Sequence, residues 1–262
     1  MKKYIVIGNP IDHSLSPKLH NFWFKKNNID AVYEKKKLEN NEIESLILDL
    51  KKNNINGINV TVPFKKEVIP YLDELSIEAT KTQSVNTIYL ESDKVVGHNT
   101  DIAGFELAIK NLKMDLKNKT VLLLGAGGVV PSLIFALLKM KISELFISNR
   151  TKTKADQLKK LFENIEVINW GEIPDVDVVV NATSLGLNNN DKFNLDFSKL
   201  KNKFFYDVIY NPKETEFLKR GKEFGNNTEN GKLMFIYQAQ LAFKLWHNIL
   251  PEINKETVEL LD

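Results

Sequence analysis

Residues 120–150 hold the feature that most constrains the fold, a glycine-rich turn between two runs of apolar residues. The run at 121–124 is short and consists of leucine and valine, which favours a strand buried on both faces. Three glycines follow within four residues, and the apolar segment at 129–140 is too long for a strand and is predicted as a helix. A second short apolar run at 145–148 completes a predicted strand–helix–strand unit.

Glycines at 125, 127 and 128 suit the binding of a dinucleotide at this turn. Residues without a side chain let the backbone approach a pyrophosphate, and the N-terminus of the following helix offers unpaired N–H groups to its charge. An ordinary tight turn is the alternative, but the strand before the glycines and the helix after them favour the binding site. Pro131 falls in the first helical turn, where its missing N–H costs little.

The second strand of this unit ends in Asn149, Arg150 and Thr151, and Lys152 and Lys154 follow closely. An acidic residue at this position would bind the ribose hydroxyls of NAD, whereas an arginine suits the additional 2′-phosphate of NADP. The alternative is a solvated charge cluster in a lysine-rich chain. The position of the cluster favours NADP.

Composition limits the remaining function classes. The 262 residues fit one large domain or two modest ones, and 43% hydrophobic with 27% charged residues predicts a packed globular core. A net charge of +2 without an arginine-rich tract gives no support for a nucleic-acid partner. The absence of cysteine excludes disulfides and thiolate metal sites. No apolar run reaches the length of a membrane span or a signal peptide, so we expect a cytoplasmic protein without membrane contact.

The first hundred residues alternate between strand and helix patterns, which predicts a second open α/β sheet. A hairpin is predicted at 87–96, with its turn near Ser92 and Asp93. The predicted strands are 4–7, 31–33 and 57–63, and the predicted helices are 18–27, 41–53, one beginning at 64, and 102–112.

Two polar residues, Asn59 and Thr61, lie on one face of the predicted strand 57–63. They precede Lys65 at the carboxyl end of the strand, where open α/β sheets bind ligands. The alternative is that both residues face solvent, although such a strand normally hides both faces. Asp101 precedes a predicted helix, and a helix cap is the alternative to a functional role.

Together these segments resemble shikimate dehydrogenase, and the match runs in order along nearly the whole chain. The matching segments are Asp12-His13-Ser14-Leu15-Ser16-Pro17, Asn59-Val60-Thr61-Val62-Pro63-Phe64-Lys65, Ser84-Val85-Asn86-Thr87, Asn99-Thr100-Asp101, Gly125-Ala126-Gly127-Gly128, Asn149-Arg150-Thr151, Asn181-Ala182-Thr183-Ser184-Leu185-Gly186 and Asp207-Val208-Ile209-Tyr210-Asn211-Pro212.

The resemblance implies NADPH-dependent, reversible reduction of 3-dehydroshikimate to shikimate on the way to aromatic amino acids, without a metal. It makes Lys65 the general acid and base, and Asp101 the carboxylate that holds its ammonium group. Ser14 and Ser16 are implied to bind the substrate carboxylate. The other implied substrate-binding residues are Asn59, Thr61, Lys65, Asn86, Asp101, Tyr210 and Gln238.

The cofactor implied by the resemblance is NADP, with no further ligand. The implied cofactor-binding residues are Gly125, Ala126, Gly127, Gly128, Val129, Asn149, Arg150, Thr151, Lys154, Thr183, Ser184, Val208 and Gly231.

The resemblance also implies two α/β domains with helices that return to the first. We expect a substrate domain at 1–101, a Rossmann-type NADP domain at 102–232 and C-terminal helices at 233–262 that pack on the substrate domain. Residues 187–194 are predicted as an exposed polar loop. We expect a monomer or homodimer.

Two alternatives follow from the same residues. A quinate or dual quinate/shikimate dehydrogenase stays possible within the family, although Arg150 favours NADP and the quinate enzymes more often use NAD. A non-catalytic nucleotide sensor would keep the glycine turn but lose Lys65 or Asp101, and both are present.

Overall fold

A computed structural model describes residues 1–188 and 193–262 and divides into two compact units. The first unit comprises Met1–Phe105 together with Ile236–Asp262, and the second comprises Glu106–Phe235. The C-terminal segment therefore returns to the first unit, as predicted. No helix in the described ranges is long and apolar enough to cross a membrane.

The first unit contains a mixed sheet of six strands among its described residues, in the order β2-β1-β3-β5-β6-β4. Neighbouring strands are parallel except at β5, which runs antiparallel to both β3 and β6. The strands are β1 (Lys2–Gly8), β2 (Ala31–Lys37), β3 (Gly57–Val60), β4 (Glu74–Leu75), β5 (Thr87–Glu91) and β6 (Lys94–His98). The predicted hairpin is confirmed as β5–β6, and Ser92 and Asp93 form its turn with φ of +49° and +64°.

Four helices join these strands, α1 (Ser16–Lys26), α2 (Ile43–Lys51), α3 (Ile77–Thr82) and α4 (Asp101–Asn111). Three of them, α1, α2 and α4, agree with the predictions at 18–27, 41–53 and 102–112, whereas α3 was not predicted. Helix α2 buries Ile43, Leu46, Ile47 and Leu50, which recur at three- and four-residue spacing and therefore form one face. That face packs into the same apolar core as Ile58 of β3.

The α-helix predicted to begin at Phe64 is wrong. Residues after β3 form turns, followed by a short 3₁₀ helix at Ile69–Tyr71. Pro70 has no N–H to continue a helix, and the Lys65 carbonyl accepts a hydrogen bond from Val85 N at 2.8 Å. Lys65 is therefore fixed by the neighbouring chain segment and not by a helix of its own.

The second unit contains a sheet with six strands among its described residues, in the order β12-β11-β10-β7-β8-β9, and all paired strands are parallel. This arrangement confirms the predicted Rossmann-type domain. Its strands are β7 (Thr120–Leu124), β8 (Glu144–Ser148), β9 (Glu166–Ile168), β10 (Val178–Asn181), β11 (Phe204–Asp207) and β12 (Asn227–Glu229), and its helices are α5 (Val130–Lys139), α6 (Lys152–Leu161) and α7 (Glu216–Glu223).

The strand–helix–strand unit predicted at 120–150 is confirmed as β7–α5–β8. Residues 121–124 are fully buried, and Pro131 lies in the first turn of α5. Of the polar loop predicted at 187–194, residues 189–192 lie outside the described ranges. Leu187, Asn188 and Asn194 are exposed as predicted. Phe193 is 2% exposed and packs with Phe217, so the prediction of an exposed loop is wrong at Phe193.

Two further helices, α8 (Lys232–His247) and α9 (Lys255–Glu259), end the chain. The later part of α8 places aromatic side chains against the first sheet. Trp246 lies so close to Gly57 that a Cβ there would be 2.6 Å from its Nε1 atom. Only glycine fits this position of β3, which explains how the C-terminal segment packs on the first unit.

Candidate active site

A buried ion pair joins Lys65 and Asp101 in the first unit. Lys65 Nζ lies 2.5 Å from Asp101 Oδ2, and the two side chains are 9% and 8% exposed. Asp101 is the first residue of α4, and its carboxylate bonds to Lys65 and Asn86. The two residues that the sequence assigned to proton transfer are therefore in contact.

Asn86 bonds the second carboxylate oxygen of Asp101. Its Nδ2 donates to Asp101 Oδ1 at 2.9 Å, and its Oδ1 accepts from the backbone N–H of Thr100 at 2.8 Å. A backbone N–H can only donate, so the amide orientation of Asn86 is fixed. Gln238 Oε1 of α8 also lies 3.3 Å from Asn86 Nδ2, so four of the predicted substrate-site residues meet here.

Asn59 lies in the same hydrogen-bonded group, but its amide hydrogens are used within the protein. Its Nδ2 donates to Asn86 O at 3.0 Å and to Thr87 Oγ1 at 3.1 Å, and its Oδ1 accepts from the Tyr33 hydroxyl at 2.6 Å. The sequence placed Asn59 at the substrate, whereas these contacts suit support of its neighbours. Thr61, the other polar residue predicted on this strand, is half-buried just past the end of β3.

Tyr33, Thr87 and Thr100 were not predicted as functional residues. A signal existed for the two threonines, because they lie within the quoted segments around Asn86 and Asp101. Tyr33 offered none, because its contact with Asn59 joins residues 26 apart on two strands that are not neighbours.

Two serines lie together at the start of α1. Ser14 Oγ lies 3.2 Å from Ser16 Oγ and accepts from the backbone N–H of Ser16 at 3.3 Å. Ser16 is buried and Ser14 half-buried. Two adjacent hydroxyls can both donate to one carboxylate, which is the role implied for them.

In the second unit, Gly125 closes the turn after β7. Its φ is +115°, and a Cβ there would lie 2.7 Å from the carbonyl oxygen of Ala182. Both facts require glycine, and the close approach keeps the turn free of side-chain bulk. Ala126, Gly127, Gly128 and Val129 follow before α5 begins, and Gly127 is exposed. Such a narrow turn before a helix fits a dinucleotide phosphate.

Basic residues lie at the end of β8 and the start of α6. Arg150 and Lys154 are exposed, and Lys152 Nζ bonds Asn169 Oδ1 at 3.1 Å. Asn149 Nδ2 donates to the Thr151 carbonyl at 2.8 Å, which holds the turn between strand and helix. The exposed guanidinium and ammonium groups fit a phosphate monoester.

A buried carboxylate, Asp207, organises the ends of β10 and β11. Its Oδ2 accepts from Thr215 Oγ1 at 2.6 Å, and its Oδ1 accepts from Ile209 N at 3.0 Å and Asn181 Nδ2 at 3.1 Å. Burial raises the pKa of Asp207 to about 6, and these three hydrogen bonds oppose the rise. Asp207 was not predicted as a functional residue, although it begins one of the segments that resemble the family.

Asn181 extends this network to the loop that carries Thr183 and Ser184. Its Oδ1 accepts from Thr183 N at 3.1 Å and Thr183 Oγ1 at 2.7 Å. Gly231 packs on the Val208 carbonyl so closely that a Cβ would overlap it. Thr183, Val208 and Gly231 are therefore joined to one another through Asn181 and backbone contacts, and Asn181 is held by Asp207.

Tyr210 follows β11 and stacks on Phe235, with ring centroids 4.3 Å apart and planes inclined by 23°. It is half-buried.

Among the described residues there is no group of three or more His, Cys, Asp or Glu side chains placed to hold a metal ion.

Comparisons with known proteins cover both units. A family model described as the shikimate dehydrogenase substrate binding domain matches residues 6–88, and one described as shikimate / quinate 5-dehydrogenase matches residues 106–214. The NADP(+) shikimate dehydrogenase of Pelagibacter ubique is 57% identical over 262 residues, which cover 100% of this chain and 99% of that protein.

Solved structures agree with these matches over the whole chain. Shikimate dehydrogenase from Aquifex aeolicus superposes with a TM-score of 0.92 at 38% identity, covering 100% of this chain and 97% of the other. Shikimate 5-dehydrogenase from Thermus thermophilus, in complex with NADP(H) and shikimate, gives 0.90 at 30% identity, covering 100% and 98%. The chain therefore belongs to the shikimate dehydrogenase family.

Proposed function

We propose that this protein catalyses the reversible, NADPH-dependent reduction of 3-dehydroshikimate to shikimate in aromatic amino-acid biosynthesis. The observation that carries the proposal is the buried contact between Lys65 and Asp101 at 2.5 Å, surrounded by the amides of Asn86 and Gln238. Such a group provides one proton donor and several fixed hydrogen-bond partners, which suits a small ligand with several hydroxyls.

Lys65 moves the proton in this proposal. When bound, NADPH supplies the hydride that reduces the substrate carbonyl carbon. Lys65 Nζ gives a proton to the oxygen that becomes the new hydroxyl, and it takes that proton back in the oxidation. Asp101 holds the ammonium group in place, because its Oδ2 accepts from Nζ while Asn86 binds its other oxygen.

Polar side chains bind the substrate in this proposal. Ser14 and Ser16 bind the carboxylate through their adjacent hydroxyls. Thr61, Asn86, Asp101, Tyr210 and Gln238 bind the substrate hydroxyls in this proposal. An analogue without one of those hydroxyls would leave a buried polar group unpaired, which is the source of selectivity.

The second unit holds NADP. The turn Gly125, Ala126, Gly127, Gly128 and Val129 receives the pyrophosphate. The groups at the 2′-phosphate are Asn149, Arg150, Thr151 and Lys154, and those toward the nicotinamide are Thr183, Ser184, Val208 and Gly231. Support comes from the positive φ of Gly125 and from the exposed charges of Arg150 and Lys154. A cytoplasmic location and a monomeric or homodimeric state belong to the same proposal.

Steady-state rates with shikimate and quinate, each with NADP⁺ and NAD⁺, test this function. We expect shikimate with NADP⁺ to give the highest kcat/KM. Replacing NADP⁺ by NAD⁺ should lower kcat/KM by about tenfold or more, since it removes a charged phosphate contact. Absence of shikimate oxidation would refute the proposal. Equal or faster oxidation of quinate would assign the chain to the dual or quinate branch.

A further inference from the structure

We propose that Tyr33 is a positioning residue for the Lys65–Asp101 pair and acts through a buried chain of hydrogen bonds. The chain runs from the Tyr33 hydroxyl through Asn59, Thr87 and Asn86 to the Asp101 carboxylate. The role in catalysis rests on the function proposed above, whereas the chain of contacts does not.

The first link has a fixed direction. Asn59 Nδ2 lies 3.0 Å from the carbonyl oxygen of Asn86, and a carbonyl can only accept, so the amide nitrogen must face it. Asn59 Oδ1 then faces Tyr33, whose hydroxyl is the donor across 2.6 Å. A flipped Asn59 amide would set two acceptors against each other.

The direction continues through Thr87. Its Oγ1 accepts from Asn59 Nδ2 at 3.1 Å and donates to Asn86 Oδ1 at 3.1 Å, while Thr100 Oγ1 is farther away at 3.5 Å. Asn86 is oriented by the backbone N–H of Thr100, so its Nδ2 faces Asp101 Oδ1. Along this chain each side chain from Tyr33 to Asn86 therefore donates to the next, and the last donor bonds the carboxylate.

All members of the chain are removed from bulk water. Tyr33 is 1% exposed, Thr87 is fully buried, and Asn59, Asn86 and Asp101 are buried as well. A group that loses its partner here has little access to water as a replacement, so the loss is transmitted to its neighbour. Tyr33 is itself held by its ring, which stacks on His20 with centroids 4.3 Å apart and planes inclined by 5°.

Removal of the Tyr33 hydroxyl should loosen the far end of the chain. Asn59 Oδ1 would lose its short hydrogen bond, so the Asn59 side chain would be held only by its contacts with Asn86 O and Thr87 Oγ1. Asn86 would keep its hydrogen bond from Thr100 N, but the contact from Thr87 would weaken, and the position of Asn86 Nδ2 against Asp101 would vary more. Loss of one such hydrogen bond predicts a roughly three- to tenfold lower kcat, while the KM for NADP⁺ stays unchanged.

The experiment compares kcat and the KM for NADP⁺ in Tyr33→Phe with those in a matched control, Tyr4→Phe. Tyr4 is another 1%-exposed tyrosine in the same aromatic cluster, and it lies outside the hydrogen-bond chain. Phenylalanine keeps the ring in both variants. We expect a lower kcat in Tyr33→Phe alone. A kcat equal to wild type in Tyr33→Phe, or the same decrease in Tyr4→Phe, would overturn the proposal.

A second break tests the chain itself. Thr87→Val removes the middle hydroxyl at similar volume, and Thr87→Ser restores a hydroxyl. If both residues act through the same chain of hydrogen bonds, a second break adds no further effect. The double variant Tyr33→Phe/Thr87→Val should therefore lower kcat about as much as Thr87→Val alone. The kcat of Thr87→Ser should stay near that of wild type. If the decreases in kcat of the two single variants multiply in the double variant, the two residues do not act through one shared chain and the proposal is refuted. Absence of shikimate turnover in wild type would instead refute the proposed function.

Discussion

Lys65 Nζ and Asp101 Oδ2 lie 2.5 Å apart, and both side chains are almost completely buried. Two charges removed from water in this way depend on each other, because loss of one partner leaves the other uncompensated. The contact also joins the turns after β3 to the first residue of α4, two segments that are 36 residues apart in the chain.

Replacing Asp101 by Asn should retain the shape of the site and remove the charge that holds Lys65. We expect kcat to fall by about a hundredfold, the lower end of the scale for general acid–base catalysis. NADP⁺ binding, measured by fluorescence titration, should be unchanged. Asp156→Asn, an exposed change on α6, serves as the control and should match wild type. A turnover near wild type in Asp101→Asn would contradict the pairing.

Replacing Arg150 by Ala should weaken binding of NADP⁺ by about tenfold and leave the affinity for NAD⁺ unchanged, because only NADP⁺ carries the 2′-phosphate. Lys160→Ala, which removes an exposed charge from the last turn of α6, controls for the change in net charge. Dissociation constants at two ionic strengths provide the measurement. Equal losses for both dinucleotides would show that Arg150 does not contact the 2′-phosphate.

The buried histidine His20 predicts sensitivity of the fold to acid. Neither ring nitrogen has a hydrogen-bond partner in the described part of the chain, and the ring is fully buried beside Tyr33. Burial, and to a lesser degree the charge of His247, lowers the pKa of His20 to about 3. In the unfolded chain the pKa of His20 has its ordinary value near 6.5, so between these two pH values the unfolded state binds a proton that the folded state does not bind.

Stability should therefore fall as the pH drops from about 6.5 toward 3. Replacing His20 by Phe removes this titrating group. As the pH falls through that window, the free energy of unfolding of the variant should rise relative to that of wild type by up to about 1.4 kcal/mol per pH unit. Urea unfolding at several pH values measures the difference. His13→Gln, at an exposed position, should follow wild type. A pH-independent difference between His20→Phe and wild type would contradict this assignment.

Local sequence signals predicted the parts of the site that depend on neighbouring residues. The glycine turn at Gly125 follows from its place between an apolar strand and a helix, and Lys65 and Asp101 follow from the segments that resemble the family. The helix predicted to begin at Phe64 was wrong because a distant contact determines the backbone there. The Lys65 carbonyl accepts a hydrogen bond from Val85 N, 20 residues away in the chain, and local sequence gives no sign of it.

Long-range contacts explain the residues that the sequence analysis missed. Tyr33 reaches Asn59 from β2, although the two strands are separated by β1 in the sheet. Asp207 receives its partners from two other segments, at Asn181 and Thr215. A polar residue in an apolar strand signals that a partner exists, but only the pairing of strands identifies it.

The most direct test of the central claim is the turnover of Lys65→Met with shikimate and NADP⁺, measured beside its NADP⁺ dissociation constant. Methionine keeps an unbranched side chain of nearly the same length and removes the proton donor. Lys66→Met, at the exposed neighbouring position, is the matched control. We predict that kcat falls by roughly a hundredfold or more in Lys65→Met, while NADP⁺ binds as in wild type. Turnover close to wild type in Lys65→Met would show that another group moves the proton and would contradict the account.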